Sequence, residues 1–127
     1  MMTLLLLPIL LGMTGLAIDV GSYASERRTL QNAADSIALA AGRDLPNSAA
    51  VQAAALDYAA KNSIDTTGMT VLVTGGSTTP RVKITLVDMH EFSFIKALGV
   101  DDKTVGATAT SGLFTQAGGT GGAMTFT

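Results

Sequence analysis

Three places in the chain bring together side chains that could do chemistry. His90 stands between Asp88 and Glu91, a nitrogen base beside two carboxylates, which is the raw material of a proton-transfer or metal site. The chain has one His and no Cys, so a second nitrogen ligand, a thiol nucleophile, a zinc–thiolate or iron–sulfur site and a disulfide are all excluded. His90 is therefore expected to be an ordinary surface histidine. Asp101-Asp102 offers oxygens to a hard cation, but two acids between a helix and a strand read as a polar turn. Gly75-Gly76 lacks the Lys and the strand-to-helix setting of a phosphate loop and reads as a hairpin turn. No set of nucleophile, base and orienter is evident, so the expectation is a protein that is not an enzyme and has no catalytic, cofactor-binding or metal-binding residues.

Asp19 is the acid that most needs a partner. No charged side chain precedes it, and residues 1–18 as a helix span about 27 Å, close to the ~30 Å hydrocarbon core of a bilayer. Beyond Asp19 the next charges are Glu26, Arg27 and Arg28, so the insertable stretch ends near Ser25. An acid at the end of such a span costs up to about 2.5–3.5 kcal/mol if fully inserted. Its helical neighbours Gly15, Leu16, Ser22 and Tyr23 are not cationic. Asp19 is expected to meet a neighbouring subunit's N-terminal amine or Arg27/Arg28, or else to sit in headgroups or a wet groove. Arg27 and Arg28 are candidate inter-subunit clamps, set against the plainer reading of a solvated face. Tyr23 is either a cross-interface hydrogen-bond donor or an interfacial aromatic or core filler.

The elements that position these residues begin with one long helix. A cleaved secretory leader is the rival for the apolar run, since Leu4 to Leu11 looks like its hydrophobic region. No Lys or Arg precedes Leu4, however, and the helical pattern continues through the small residues at Ser22 to Ser25. Leu16, Tyr23, Leu30 and Ile37 recur every seven residues, with Val20, Ala34 and Ala41 in the adjoining stripe. These seven are the expected helix–helix assembly seam. Gly42 and Pro46 stop the helix, which from Met2 to Gly42 would be on the order of 60 Å long. Pro8, Gly12 and Gly15 predict a kink or a short melted stretch.

Past the helix the fold class is α+β. Ser48 is the expected N-cap of a second helix over 49–62. Residues 70–74 and 81–87 alternate as a hairpin, 90–98 reads as a short amphipathic helix, and 104–114 as a third strand of an antiparallel sheet. The expected division is a membrane-anchor helix over 1–43, which would also be the core of any assembly built on its seam, a small head over 44–114 and a Gly-rich tail over 115–127, read as mildly favouring disorder. Only 14% of residues are charged, against roughly 25% in an ordinary soluble domain. A net charge of −2 removes the basic field that nucleic-acid binding needs, so no nucleic-acid partner is expected.

The run Gly15-Leu16-Ala17-Ile18-Asp19-Val20-Gly21, then Tyr23, Arg27-Arg28, Leu30-Gln31-Asn32-Ala33-Ala34-Asp35 and Ala38-Leu39-Ala40-Ala41, resembles the N-terminal segment of TadE/TadG-like proteins of the tight-adherence pilus system. The resemblance implies a type IV pilin-like protein, held in the membrane by its first helix and projecting its head outward. Prepilin peptidase and the ATPase-driven pilus assembly machinery are the partners it implies, besides copies of the chain itself. Classical pilins place a glutamate a few residues into the mature chain, whereas here no acid precedes Asp19. The expected function is a structural subunit of an extracellular pilus filament at the cell surface, held in the membrane before assembly. The alternatives are a membrane-retained accessory or minor pilus-assembly protein and, of another class, a membrane-tethered adhesive or ligand-binding domain.

Overall fold

The structure, a computed structural model, describes residues 2–114 and 122–126. Helix α1 runs over Met2–Gly42 without a break. The stretch expected to melt between Pro8 and Gly15 is helical: Pro8 removes one donor near the start, and the rest of the ladder continues around it. Helix α2 follows over Ser48–Lys61. Its N-cap is Asn47 rather than the expected Ser48: the Asn47 side-chain oxygen accepts from the N–H groups of Ala49 and Ala50, both at 3.2 Å.

Strands β1 (Thr70–Thr74), β2 (Arg81–His90), β3 (Lys103–Phe114) and β4 (Gly122–Phe126) form one antiparallel sheet in the order β1-β2-β3-β4. The expected three-stranded meander is present. β4 is an addition, pairing with Thr110–Phe114 from within the segment expected to be a Gly-rich tail. The rest of that tail lies outside the described residues. A short helix α3, Phe94–Ala97, joins β2 to β3. It is shorter than the helix expected over 90–98, because the β2–β3 ladder continues down to His90 opposite Lys103 and takes up the backbone there.

The core lies between one face of the sheet, the upper part of α1 and α2. Val82, Ile84 and Leu86 of β2 alternate inward with Ala107 and Ala109 of β3. Ala34, Ile37, Ala38 and Ala41 meet them from α1, and Val51, Ala55 and Ala59 from α2. Small residues let the helix axis come close to the sheet, most closely at Gly42, where any Cβ would collide with the Ser111 hydroxyl. This revises the assembly seam. Ala34, Ile37 and Ala41 are fully buried in the chain's own core, and Leu30 packs against its edge, so they are not free to meet a neighbouring helix.

Leu16 and Val20, by contrast, are 47% and 56% exposed. The cause is helical phase. A strict seven-residue repeat drifts by about 20° per heptad against a straight α-helix, so three heptads before Ile37 the seam has turned by roughly 60° from the sheet. Asp19 precedes Ile37 by about five full turns and stands directly in line with it.

Candidate functional site

The face of α1 in line with Ile37 continues downward through Leu30, Glu26, Tyr23, Asp19, Gly15 and Gly12. The lower end of the head docks on it. Asp19 is only 2% exposed. Its Oδ1 accepts from the Ser93 N–H at 3.2 Å, and its Oδ2 from the N–H groups of Phe94 and Ile95 at 2.8 and 2.7 Å. These are donors that the start of α3 leaves without intrahelical partners, and the Ser93 side chain does not cap them. A carboxylate from a distant helix supplies the cap, and three N–H groups replace the water its charge loses on burial. Asp19 thus does not sit in a wet groove: within the chain it is a latch between helix and head.

Below the latch, the Phe94 ring lies over two glycines. A Cβ on Gly15 would sit 2.5 Å from Phe94 Cγ, and one on Gly12 would lie 3.8 Å from Phe94 Cζ. Gly12 and Gly15 therefore make a flat seat for an aromatic ring within a continuous helix.

Above the latch lies His90, 5% exposed and so not the surface histidine expected. Nδ1–H of its ring donates to the Glu26 carboxylate. Phe92 packs edge-on against it at 4.9 Å between centroids, Tyr23 does so at 5.5 Å, and Tyr23 stacks on Phe92 at 6.1 Å. The Ser22 hydroxyl lies 3.4 Å from His90 Nε2. Hydroxyl, imidazole and carboxylate are therefore in line, an order that the sequence did not disclose. As a nucleophile Ser22 is poorly served. Its hydroxyl donates to the Asp19 carbonyl at 2.9 Å, and it sits within α1, where the backbone N–H groups an oxyanion would need are already bonded in the helix.

Two further ties hold the same region. The Lys96 ammonium donates to Asp102 at 2.7 Å, which holds that carboxyl below the usual range and raises the Lys96 pKa. The Phe92 N–H also points at Asp102, at 3.4 Å. Higher up, Gln31 donates to Asp35 and to the Thr108 carbonyl, both at 3.1 Å, fastening α1 to β3. Arg27 and Arg28 stay exposed on the flank of α1, where with Tyr23, Ala24 and Gln31 they line a shallow open depression. Among the described residues no group of three or more His, Asp and Glu is placed to hold a metal ion.

One face of α1 is thus clasped from Gly12 to Gly42, while the other faces of its lower half carry exposed Leu6, Leu10, Met13, Leu16 and Ile18. Among the described residues this helix is long and apolar enough to cross a membrane. Its N-terminal segment is similar to one known family. Residues 1–44 match the family model Tad, described as Putative Flp pilus-assembly TadE/G-like. The match spans the whole of α1 and ends two residues beyond it, so the TadE/G-like part is the helix that carries both Asp19 and the exposed aliphatic surface. That family is described by Flp pilus assembly, and the likeness together with the apolar helix fits a membrane-associated or pilus-surface protein. No curated protein and no solved structure matches the chain significantly.

Proposed function

We propose that the protein is a structural subunit of a Tad/type IV-like pilus, anchored in the membrane by the lower half of α1 and later packed through that half against copies of itself. The observation that carries this is the unbroken row of large aliphatic side chains that the head leaves uncovered. Leu7, Leu10 and Met13 are each more than 60% exposed, on a helix whose N-terminal segment is TadE/G-like. Each such side chain gains about 1.5–3 kcal/mol on leaving water, and lipid or neighbouring helices both provide that surround. The role is assembly rather than catalysis. Prepilin peptidase and the assembly machinery are the partners this role entails, and the cell surface is its place.

The test is direct. Material sheared from cells should contain filaments in which this chain is the main protein, and Leu16→Asp should abolish them while leaving the head folded. Filaments that lack the chain would overturn the subunit role.

A second reading, a membrane-retained accessory protein, draws on the Asp19 latch. The docked head occupies one face of α1 as far down as Gly12, which limits how closely copies of the helix can pack along that face. It predicts low abundance and recovery with membranes instead of filaments.

A further inference from the structure

If α1 anchors the chain in a membrane, as proposed above, the position of the latch sets how deep the head must sit. A bilayer core of ~30 Å needs about 20 helical residues, and residues 2–18 provide roughly 26 Å. Asp19 is the first charged side chain along the apolar stretch, and Leu16 and Ile18 just before it are exposed, so the surface offered to lipid runs up to Asp19. Yet Phe94 reaches down to Gly12 while the α3 backbone is fastened at Asp19. From residue 12 to residue 19 is about 10 Å along the helix axis, so α3 stands level with the last ~10 Å of the span. That matches the ~5–10 Å depth at which interfacial segments lie in a bilayer.

The turn that follows α3 is built for such a place. Leu98 is 69% exposed and Val100 46%, on either side of Gly99, whose φ of 85° makes the turn. Backbone donors are met internally: Leu98 and Val100 N–H bond to the Ile95 carbonyl, and Gly99 N–H to that of Lys96. The first three donors go to Asp19. Lys96, the charge within α3, is paired with Asp102. A segment with satisfied donors, a paired charge and outward-facing aliphatic side chains loses little on leaving water and gains from burying Leu98 and Val100.

We infer that the Phe94–Val100 turn is a second membrane contact, dipping into the headgroup–acyl boundary beside α1, with the lipid bilayer as its partner. The chain has no Trp, so single-Trp variants report position without background. Full-length Ile9→Trp, Leu98→Trp, Val100→Trp and Leu72→Trp proteins are reconstituted in phosphatidylcholine vesicles with brominated acyl chains. Ile9→Trp should be strongly quenched, Leu98→Trp and Val100→Trp clearly but less strongly quenched, as side chains at the headgroup–acyl boundary are, and Leu72→Trp, on the outer strand β1, not quenched.

Quenching at position 9 with none at 98 and 100 would overturn the membrane contact and leave the anchor intact. Blue-shifted but unquenched emission at 98 that grows with protein density would overturn it in favour of a second copy of the chain. No quenching at position 9 would instead remove the anchor itself, and this inference with it.

Discussion

The two halves of α1 face different surroundings with different side chains. From Ala34 to Gly42 the inward residues are mostly small and wholly buried, and the sheet comes close enough that Gly42 has no room for a Cβ. From Leu4 to Val20 the helix is dominated by large aliphatic residues, and most of them are exposed. Small residues serve a contact that already exists within the chain, where backbone approach decides the packing. Large aliphatic residues left in the open mark a contact that the isolated chain does not make. Between the halves, Asp19, His90 and Phe94 hold the head to the helix at the level where one regime gives way to the other.

Substitutions in the two halves should therefore fail in opposite ways. Ile37→Ala is expected to have the largest effect on the fold, a loss of about 2–5 kcal/mol in head stability from the cavity it opens, measured by urea unfolding in detergent. Leu30→Asp should also damage the head, because Leu30 packs on its core. Leu16→Asp should leave the unfolding free energy within about 0.5 kcal/mol of wild type, as an exposed position does, and should lose membrane or filament incorporation. Destabilisation by Leu16→Asp equal to that by Ile37→Ala would erase the distinction between the halves.

Smaller effects belong to the junction. Gly15→Leu should expel the Phe94 ring, and Asp19→Ala should leave the α3 donors unpartnered. Hydrogen exchange at Phe94 and Ile95 should rise sharply in both, while exchange at Ile84 and Ala109 stays slow. Asp19→Ala should be more disruptive than Asp102→Ala, since Asp19 is buried and accepts three backbone bonds. Equal exchange profiles would mean that Asp19 is not the latch.

The weakest tie is the surface pair Lys96–Asp102. The Asp102 pKa is lowered from 3.8 on folding, so its contribution is complete above that value and is lost as pH falls through the lower folded value. The Lys96 pKa is raised from 10.5, so its contribution is complete below that value and is lost as pH rises through the higher folded one. Comparing wild type with Lys96→Met, the difference in α3 exchange should be flat between these limits and shrink beyond both.

Much of this architecture was legible in the residues. Alternation at Val82, Ile84 and Leu86 announced the hairpin, and the long run without Pro between Ile9 and Leu45 announced a single helix. The site was less legible, for physical reasons. The seven-residue repeat that drew attention to Leu16 follows a supercoil period, whereas a straight helix keeps Asp19 and Glu26 on the face of Ile37. Polar residues on that face carried the signal, but their partners lie far along the chain: Ser93 to Ile95 for Asp19, and His90 for Glu26. A lone histidine gives no local sign that two aromatic rings will cover it. Nor did the glycines around β4 betray a strand, since pairing with β3 rather than local propensity places it there.

The central claim is that α1 changes surroundings along its length, from the chain's own head above to lipid or other copies below. The most direct measurement uses the absence of Cys: spin labels on single-Cys variants from Leu4 to Ala24, in membranes, with oxygen and a water-soluble nickel chelate as relaxants. Labels at Leu7, Leu10 and Met13 should be open to oxygen and closed to nickel, with nickel access appearing only beyond Asp19. Nickel access as high at Leu10 as at Ala24 would show a helix bathed in water and contradict the account.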